Sequence, residues 1–111
     1  MLSQASLQEL QNCWLPNLTD NGLNRLVELL ESNSPLLISG SFTLSLPMGC
    51  LATHAGWHHP RTAHRGHEAG LFWLNEVAGV NPSLSPVIRD WDREGDCSWQ
   101  IRCDLLDVLK E

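Results

Sequence analysis

All five histidines of this 111-residue chain lie in one stretch, residues 49–67, which reads GCLATHAGWHHPRTAHRGH. A cysteine stands near its start, and two arginines are interleaved with the histidines. Imidazole and thiolate groups bind metal ions, imidazoles also transfer protons, and guanidinium groups hold anions. Residues 49–67, which we name the histidine segment, are therefore the part of the chain best equipped for chemistry.

The residue types that bind zinc recur in the histidine segment at helical spacing. Positions 50, 54 and 58 would share one face of a helix. Pro60 would end that helix, and positions 64 and 67 would then face the first set from a second helix. Tetrahedral zinc takes three or four nitrogen, sulfur or oxygen ligands. Glu68 is the nearest base for a metal-dependent reaction, and the candidate metal ligands are Cys50, His54, His58, His64 and His67.

The spacing in the histidine segment matches no established metal motif, because it contains neither paired CxxC knuckles nor HExxH. A His-rich tract indicates metal binding only through its composition. In the simpler interpretation these histidines cap helices, bond to carbonyls or face solvent. The sequence therefore favours a small protein-interaction or regulatory module, with zinc binding or a metal-dependent enzyme as the alternative. The sequence indicates no cofactor other than the zinc of this alternative. Whether the protein is an enzyme stays open at this point.

A third interpretation of the histidine segment is contact with an anion or with another protein. Arg61 and Arg65 stand among histidines in an otherwise acidic chain, and guanidinium groups bind carboxylates and phosphates in a bidentate manner. Trp57 would anchor an interface if it were exposed, since tryptophan is enriched at binding hot spots. The anion-binding or interface candidates are thus Trp57, Arg61 and Arg65. Alternatively, this positive cluster pairs within the chain with the acidic stretch at residues 90–96.

Residues 90–96, DWDREGD, have carboxylates at alternate positions and glycine at the sixth, as at the start of an EF-hand calcium loop. Ser98 would stand at the ninth position. The twelfth position holds Ile101 instead of the bidentate glutamate, so the anchoring ligand of such a loop is missing. We therefore expect no tight calcium binding, and we interpret the stretch as the charged end of a helix at Gly95.

Composition narrows the choice of partners. The net charge is −6, whereas a duplex-binding domain needs clustered positive charge to displace counterions, so no nucleic-acid partner is expected. No apolar run approaches the roughly 20 residues that span a bilayer, and no signal-peptide pattern begins the chain. These features predict a cytoplasmic protein that binds no membrane and whose partner is another protein or a second copy of itself. The four cysteines are then expected to be reduced thiols.

Helical periodicity covers most of the chain. Ser6 and Glu9 have capping-box spacing ahead of a short helix that ends at Pro16. Thr19 or Asp20 begins a second helix, which ends near residues 32–35. Further helices are predicted from Pro47 through residue 58, from about residue 62 to Gly79, from residues 83–86 to Gly95, and over residues 98–110.

Residues 36–46 have a different period, since apolar side chains alternate there with serine and threonine. Alternation of this kind indicates a half-buried strand, and the Ser-Gly-Ser at its centre permits a hairpin. The predicted fold is therefore mainly α, with four to five short helices around one leucine–tryptophan core and a short β-ribbon near residues 36–46. An α+β fold is the alternative, and in both cases residues 1–111 form a single domain.

Overall fold

Helices dominate the computed structural model of the protein, which describes residues 2–44, 46–95 and 99–110. Within these residues the α-helices are α1 (Gln4–Glu9), α2 (Asp20–Glu31), α3 (Leu51–Trp57), α4 (Ala69–Phe72), α5 (Pro86–Glu94) and α6 (Trp99–Leu109). A π-helical turn (Leu10–Trp14) and a 3₁₀ turn (Leu15–Asn17) extend α1, a 3₁₀ segment (Ala63–Glu68) precedes α4, and a π-helical turn (Trp73–Ala78) continues it. The mainly α prediction is confirmed, although this part of the chain holds six α-helices rather than four or five.

Three helix boundaries follow local signals in the sequence. Thr19 begins α2, and its hydroxyl oxygen accepts the N–H of Gly22 at 3.0 Å. Ser85 begins α5 in the same way, accepting the N–H of Ile88 at 3.2 Å. Gly79 ends the π-helical turn after α4 with φ 75°, a left-handed conformation that glycine adopts without steric cost. These boundaries were predictable because each depends on contacts within a few residues.

The capping box predicted at Ser6 and Glu9 is wrong. Ser3 is the N-cap of α1, and its hydroxyl oxygen accepts the N–H of Ser6. Ser6 and Glu9 are both buried instead. Ser6 donates a hydrogen bond of 2.6 Å to Asp90 of α5, and Glu9 accepts one of 2.7 Å from Ser85. The polar side chains that resembled a local cap therefore join α1 to α5.

The β-ribbon predicted at residues 36–46 is not confirmed. In the part of the chain that the structure describes, this region has only two isolated bridges, from Leu37 and from Thr43, both to Gly49. Leu37 and Ile38 are buried in succession, which a strand with one solvent face does not permit, because its neighbouring side chains point to opposite sides. The region is an irregular loop. The α+β alternative is not confirmed either, because the described residues contain no strand.

The same loop explains why the helix predicted from Pro47 begins later. Gly49 is held by the loop, since its N–H donates to the Leu36 carbonyl and its carbonyl accepts from Ile38, both at 3.0 Å. These bonds keep residue 49 out of a helix. Cys50 is then the N-cap residue of α3, in an extended conformation.

The core is built around buried tryptophans. Trp14 and Trp73 pack edge to face, with ring centroids 4.9 Å apart and an interplanar angle of 67°, and each belongs to one of the π-helical turns. Trp91 of α5 is also fully buried, and its indole N–H donates to the Ile38 carbonyl at 2.7 Å. This last bond ties the irregular loop to α5.

Two glycines allow α3 and α4 to cross at close range. A Cβ added at Gly70 would lie 2.5 Å from Thr53 Oγ1 and 2.8 Å from the Thr53 nitrogen. A Cβ at Gly56 would overlap the Ala69 carbonyl group, 2.7 Å from its carbon. The backbones of α3 and α4 are therefore in direct contact, and this contact fixes α3, which carries the first half of the histidine segment.

Candidate functional site

His54 of α3 is buried beneath the irregular loop. Its side chain is 2% exposed, and its Nε2 lies 2.8 Å from the Leu36 carbonyl oxygen. The imidazole packs edge to face against Trp57, with centroids 5.0 Å apart. Burial lowers the pKa of His54, and the positive charges of Arg25 and His58 lower it further, against the opposing effect of the Leu36 carbonyl. The ring is therefore neutral at neutral pH, and its Nε2–H donates to that carbonyl.

Acidification below pH 6.5 is expected to destabilise the fold through His54. In the unfolded chain this histidine takes up a proton near its ordinary pKa of 6.5, whereas the buried ring resists protonation until a lower pH. Below pH 6.5 the unfolded state therefore binds more protons than the folded state. The contribution of His54 to the free energy of unfolding is full above pH 6.5 and is lost as the pH falls below that value. Urea titrations between pH 7.5 and about 5 should show this decline.

A His54→Gln variant should lose that part of the pH dependence, whatever its stability at neutral pH. The matched control is His59→Gln. Burial and the Arg61 charge also lower the pKa of His59, but this residue is only partly buried, so the control should keep most of the parent's pH dependence. A His54→Gln variant with the same pH dependence as the parent would contradict this assignment.

His58 and His59 serve the end of α3. His58 Nδ1 lies 2.9 Å from the His54 carbonyl oxygen, and the His58 carbonyl accepts the Thr19 hydroxyl at 2.6 Å. His59 Nδ1 accepts the N–H of Arg61 at 3.2 Å across the turn that contains Pro60. These contacts terminate α3 and join it to the start of α2, so both residues have structural partners.

Cys50 lies at the other end of α3. Its side chain is 1% exposed, and its thiol lies 3.6 Å from the Thr53 hydroxyl oxygen. Burial raises the pKa of Cys50 above 9.0, and hydrogen bonding with Thr53 opposes this only in part. An activated nucleophile needs a lowered thiol pKa. The environment of Cys50 therefore disfavours the thiolate that nucleophilic chemistry requires.

Cys50 is expected to resist alkylation in the folded protein. Cys13 and Cys103 are only half buried, so iodoacetamide at neutral pH should modify them first. Cys50 should react at a comparable rate only in denaturant, because its thiol is both inaccessible and protonated. Peptide mapping by mass spectrometry after timed labelling measures all three rates. Labelling of Cys50 in the native protein as fast as Cys13 would contradict the burial described here.

The candidate zinc ligands are spread along the chain rather than gathered. Cys50 and His58 stand at opposite ends of α3, about 12 Å apart along the helix at 1.5 Å per residue, and His54 lies against a carbonyl between them. His64 and His67 are exposed on the 3₁₀ segment. No group of three or more His, Cys, Asp or Glu side chains in the described residues could hold a metal ion. Zinc binding therefore remains a prediction from composition.

The second half of the histidine segment forms an exposed, positively charged surface. Arg61, His64, Arg65 and His67 are all exposed, and we name these four residues the Arg–His surface. The guanidinium of Arg65 lies 4.0 Å from the centroid of the Phe72 ring. Arg61 Nη1 donates to the Glu76 carbonyl oxygen at 3.4 Å, within the π-helical turn that continues α4. Neither arginine has a carboxylate partner among the described residues.

The backbone beneath the Arg–His surface is fixed. The half-buried Trp57 donates its indole N–H to the Gly66 carbonyl at 2.8 Å, and Thr43 donates to the His67 carbonyl at 3.0 Å. Gly66 has φ 60° and ψ −120°, a conformation that only glycine adopts readily. Trp57 thus supports this surface from its half-buried position, and its role as an interface anchor stays a prediction.

The acidic stretch at residues 90–96 does not pair with the Arg–His surface in the described residues. Asp90 accepts hydrogen bonds from Ser3, Ser6 and Arg93. Asp92 accepts the N–H of Gly40 at 2.9 Å. The carboxylate at position 96 and the hydroxyl at position 98, which belong to the calcium-loop comparison, lie outside the described residues.

An open cleft between α2 and α3, with a volume of about 460 Å³, was not anticipated from the sequence. Polar residues of α2 form one wall, and residues near α3 form the other: Asn21, Asn24, Arg25 and Glu28 against Pro47, His54, Trp57 and His58. The signal was present in the sequence, since the four α2 residues recur at i, i+3, i+4 and i+7 and so share one helical face. By itself, that face of α2 would be an ordinary solvent-exposed polar surface. The side chains of α3 opposite it make it one wall of a cleft.

The chain matches no protein-family model, no curated protein and no solved structure. No helix in the described residues combines the length and the apolar character needed to cross a membrane. Function must therefore be argued from the Arg–His surface and the cleft.

Proposed function

We propose that this chain is a small protein-interaction module that contacts an acidic segment of its partner through the Arg–His surface. The observation that carries this proposal is the joint exposure of Arg61, His64, Arg65 and His67, with two guanidinium groups that have no carboxylate partner in the described residues. Unpaired guanidinium groups bind carboxylates bidentately. The fixed backbone beneath them supports the proposal, because a preorganised surface loses less entropy on binding.

The charge of the whole chain favours docking at this surface. With a net charge of −6, most of the protein repels an acidic partner, and the Arg–His surface is where attraction is expected. Complementary charge of this kind orients a partner and speeds its association. A second copy of this acidic chain could supply the carboxylates, so self-association belongs to the same proposal. We place the module in the cytoplasm, as Cys13, Cys50 and Cys103 are free thiols, which persist where the environment is reducing.

The test is a titration of ¹⁵N-labelled protein with a short polyglutamate peptide, followed by NMR, with polylysine as the opposite-charge probe. We expect polyglutamate alone to shift the amide signals of residues 61–67, and the shifts to shrink with added salt. Each exposed ion pair contributes about 0.2–1 kcal/mol, so Arg61→Gln combined with Arg65→Gln should weaken binding about two- to thirtyfold.

The matched control for these variants is Arg89→Gln, which removes one exposed charge from α5 and should leave peptide binding unchanged. Sedimentation of the parent and of the double variant at several protein concentrations tests self-association separately. Equal weakening by the control, or no shift of residues 61–67 at low salt, would refute the proposal.

The zinc alternative has its own test, which is elemental analysis of untagged protein together with thermal melts with and without chelator. About one zinc per chain and a lower melting temperature after chelation would support it, because a structural zinc contributes directly to folding. Absence of both effects would remove zinc from consideration.

A further inference from the structure

The cleft between α2 and α3 has the size and composition of a small-ligand site. Its volume is about 460 Å³, within the roughly 300–1,000 Å³ usual for sites that hold small molecules. Its α2 wall is polar, while Trp57 and Pro47 supply apolar surface on the opposite side. None of the four residues of the Arg–His surface lines it. A ligand in this cleft would therefore be a second function, independent of the protein partner proposed above.

Arg25 is the charged donor of the polar wall, and its present partner can be exchanged. Its guanidinium pairs with Glu28 one helical turn later, and the side chains of Arg25 and Glu28 are 32% and 65% exposed. Exposed ion pairs of this kind contribute little, so an incoming carboxylate can compete for the guanidinium. Asn21 and Asn24 lie on the same helical face and add carboxamide donors beside it.

The charge of the cleft favours a monoanion. Arg25 lines the cleft, and its guanidinium, which stays charged at every pH a protein meets, gives the cleft a positive potential. Glu28 nevertheless stays at the rim and opposes any ligand of higher negative charge. A carboxylate satisfies both conditions better than a phosphate dianion, and the Trp57 ring favours a flat apolar body next to it.

We propose that the cleft between α2 and α3 binds a small organic carboxylate, with its carboxylate on Arg25 and a flat apolar body against Trp57. In this arrangement the ligand takes the place of Glu28 on one edge of the guanidinium, and the carboxamides of Asn21 and Asn24 bond to its remaining oxygen lone pairs. Binding requires only a side-chain movement at the exposed Glu28.

The probe for this proposal is 2-naphthoate, titrated into ¹⁵N-labelled full-length protein and followed by NMR. We expect saturable shifts of the Trp57 indole N–H and of the Asn24 and Arg25 signals. The neutral isostere 2-naphthamide should bind about tenfold more weakly, because it lacks the charge-assisted pair. Inorganic phosphate tests an anion without an apolar body and should bind more weakly than 2-naphthoate.

Two variants on the polar face of α2 separate this site from a general effect on folding. Arg25→Gln should weaken 2-naphthoate binding about tenfold, whereas Glu28→Gln should strengthen it severalfold, because it frees the guanidinium. Damage to the fold would lower binding in both, and thermal melts verify that both variants are folded. Opposite signs for the two variants support the site.

The proposal is overturned if about 10 mM 2-naphthoate, roughly ten times the Kd of a weak millimolar ligand, gives no saturable shift. Equal affinity for 2-naphthamide, tighter binding of phosphate, or an Arg25→Gln variant with unchanged affinity would also overturn it. These outcomes leave the proposed protein partner untouched, since its test depends on Arg61 and Arg65.

Discussion

Replacing Gly56 with alanine is expected to destabilise the protein by about 3 kcal/mol or more, because overpacking against backbone leaves no side chain free to move aside. The added Cβ would overlap the Ala69 carbonyl, 2.7 Å from its carbon, and would also meet the Ala69 side chain. Relief requires α3 and α4 to separate, which also displaces His54 from the loop. The free energy of unfolding from guanidinium titrations measures the effect.

The matched control is Gly22→Ala in α2. Alanine is favoured over glycine by about 1 kcal/mol inside a helix at both positions, and the nearest atom to a Cβ at Gly22 is the Thr19 hydroxyl oxygen at 3.1 Å. We expect that variant to change stability by no more than about 1 kcal/mol in either direction. If Gly56→Ala were equally mild, the close crossing of α3 and α4 would be incorrect.

Replacing Asp90 with alanine is expected to cost about 2–3 kcal/mol, because it leaves the buried Ser6 hydroxyl and the half-buried Ser3 N–H without their acceptor. The Asp90 side chain is 1% exposed. It accepts the Ser3 N–H at 3.0 Å, the Ser6 hydroxyl at 2.6 Å and Arg93 at 3.0 Å. Its loss would release the start of α1 from α5. Asp92→Ala on the same helix removes only an exposed bond to Gly40 and should cost about 1 kcal/mol or less.

The pH dependence of protein stability supplies a second measurement of the role of Asp90. Burial alone would raise the pKa of Asp90, but hydrogen bonds from Ser6 and Ser3 and the charge of Arg93 together hold it below 3.8. The stability that it contributes is therefore complete above pH 3.8 and is lost as pH falls through its lower folded-state pKa. An Asp90→Asn variant should show a flatter decline in stability below that pH, and an unchanged decline would contradict this assignment.

The helix starts illustrate what can be predicted locally. A hydroxyl that accepts an N–H three residues on, as at Thr19 and Ser85, involves only neighbouring residues, so sequence suffices to place it. The same reasoning failed for Ser6 and Glu9, whose spacing is also correct for a cap. Asp90 lies 84 residues from Ser6, and only the folded chain shows that it is the preferred partner.

The irregular loop at residues 36–46 illustrates the limit of periodicity. Alternating apolar and hydroxyl side chains predicted a ribbon, yet Leu37 and Ile38 are both buried while Leu44 is 61% exposed. Burial here depends on where α3 and α5 lie, since Gly49, His54 and Trp91 bond to the loop backbone. A strand pattern can specify a strand only when a neighbouring strand accepts its hydrogen bonds.

The sequence by itself determined that this is a mainly helical protein, where several helices begin and end, and which segment concentrates titratable groups. Only the tertiary structure separated that segment into two parts. His54 and His58 became packing and backbone partners because the Gly56–Ala69 contact holds α3 against the core. Arg61 and Arg65 became an exposed surface because the backbone around Gly66 is fixed from beneath by Trp57. Residue spacing sets which side chains share a helix face, but long-range packing determines which of those faces meet solvent.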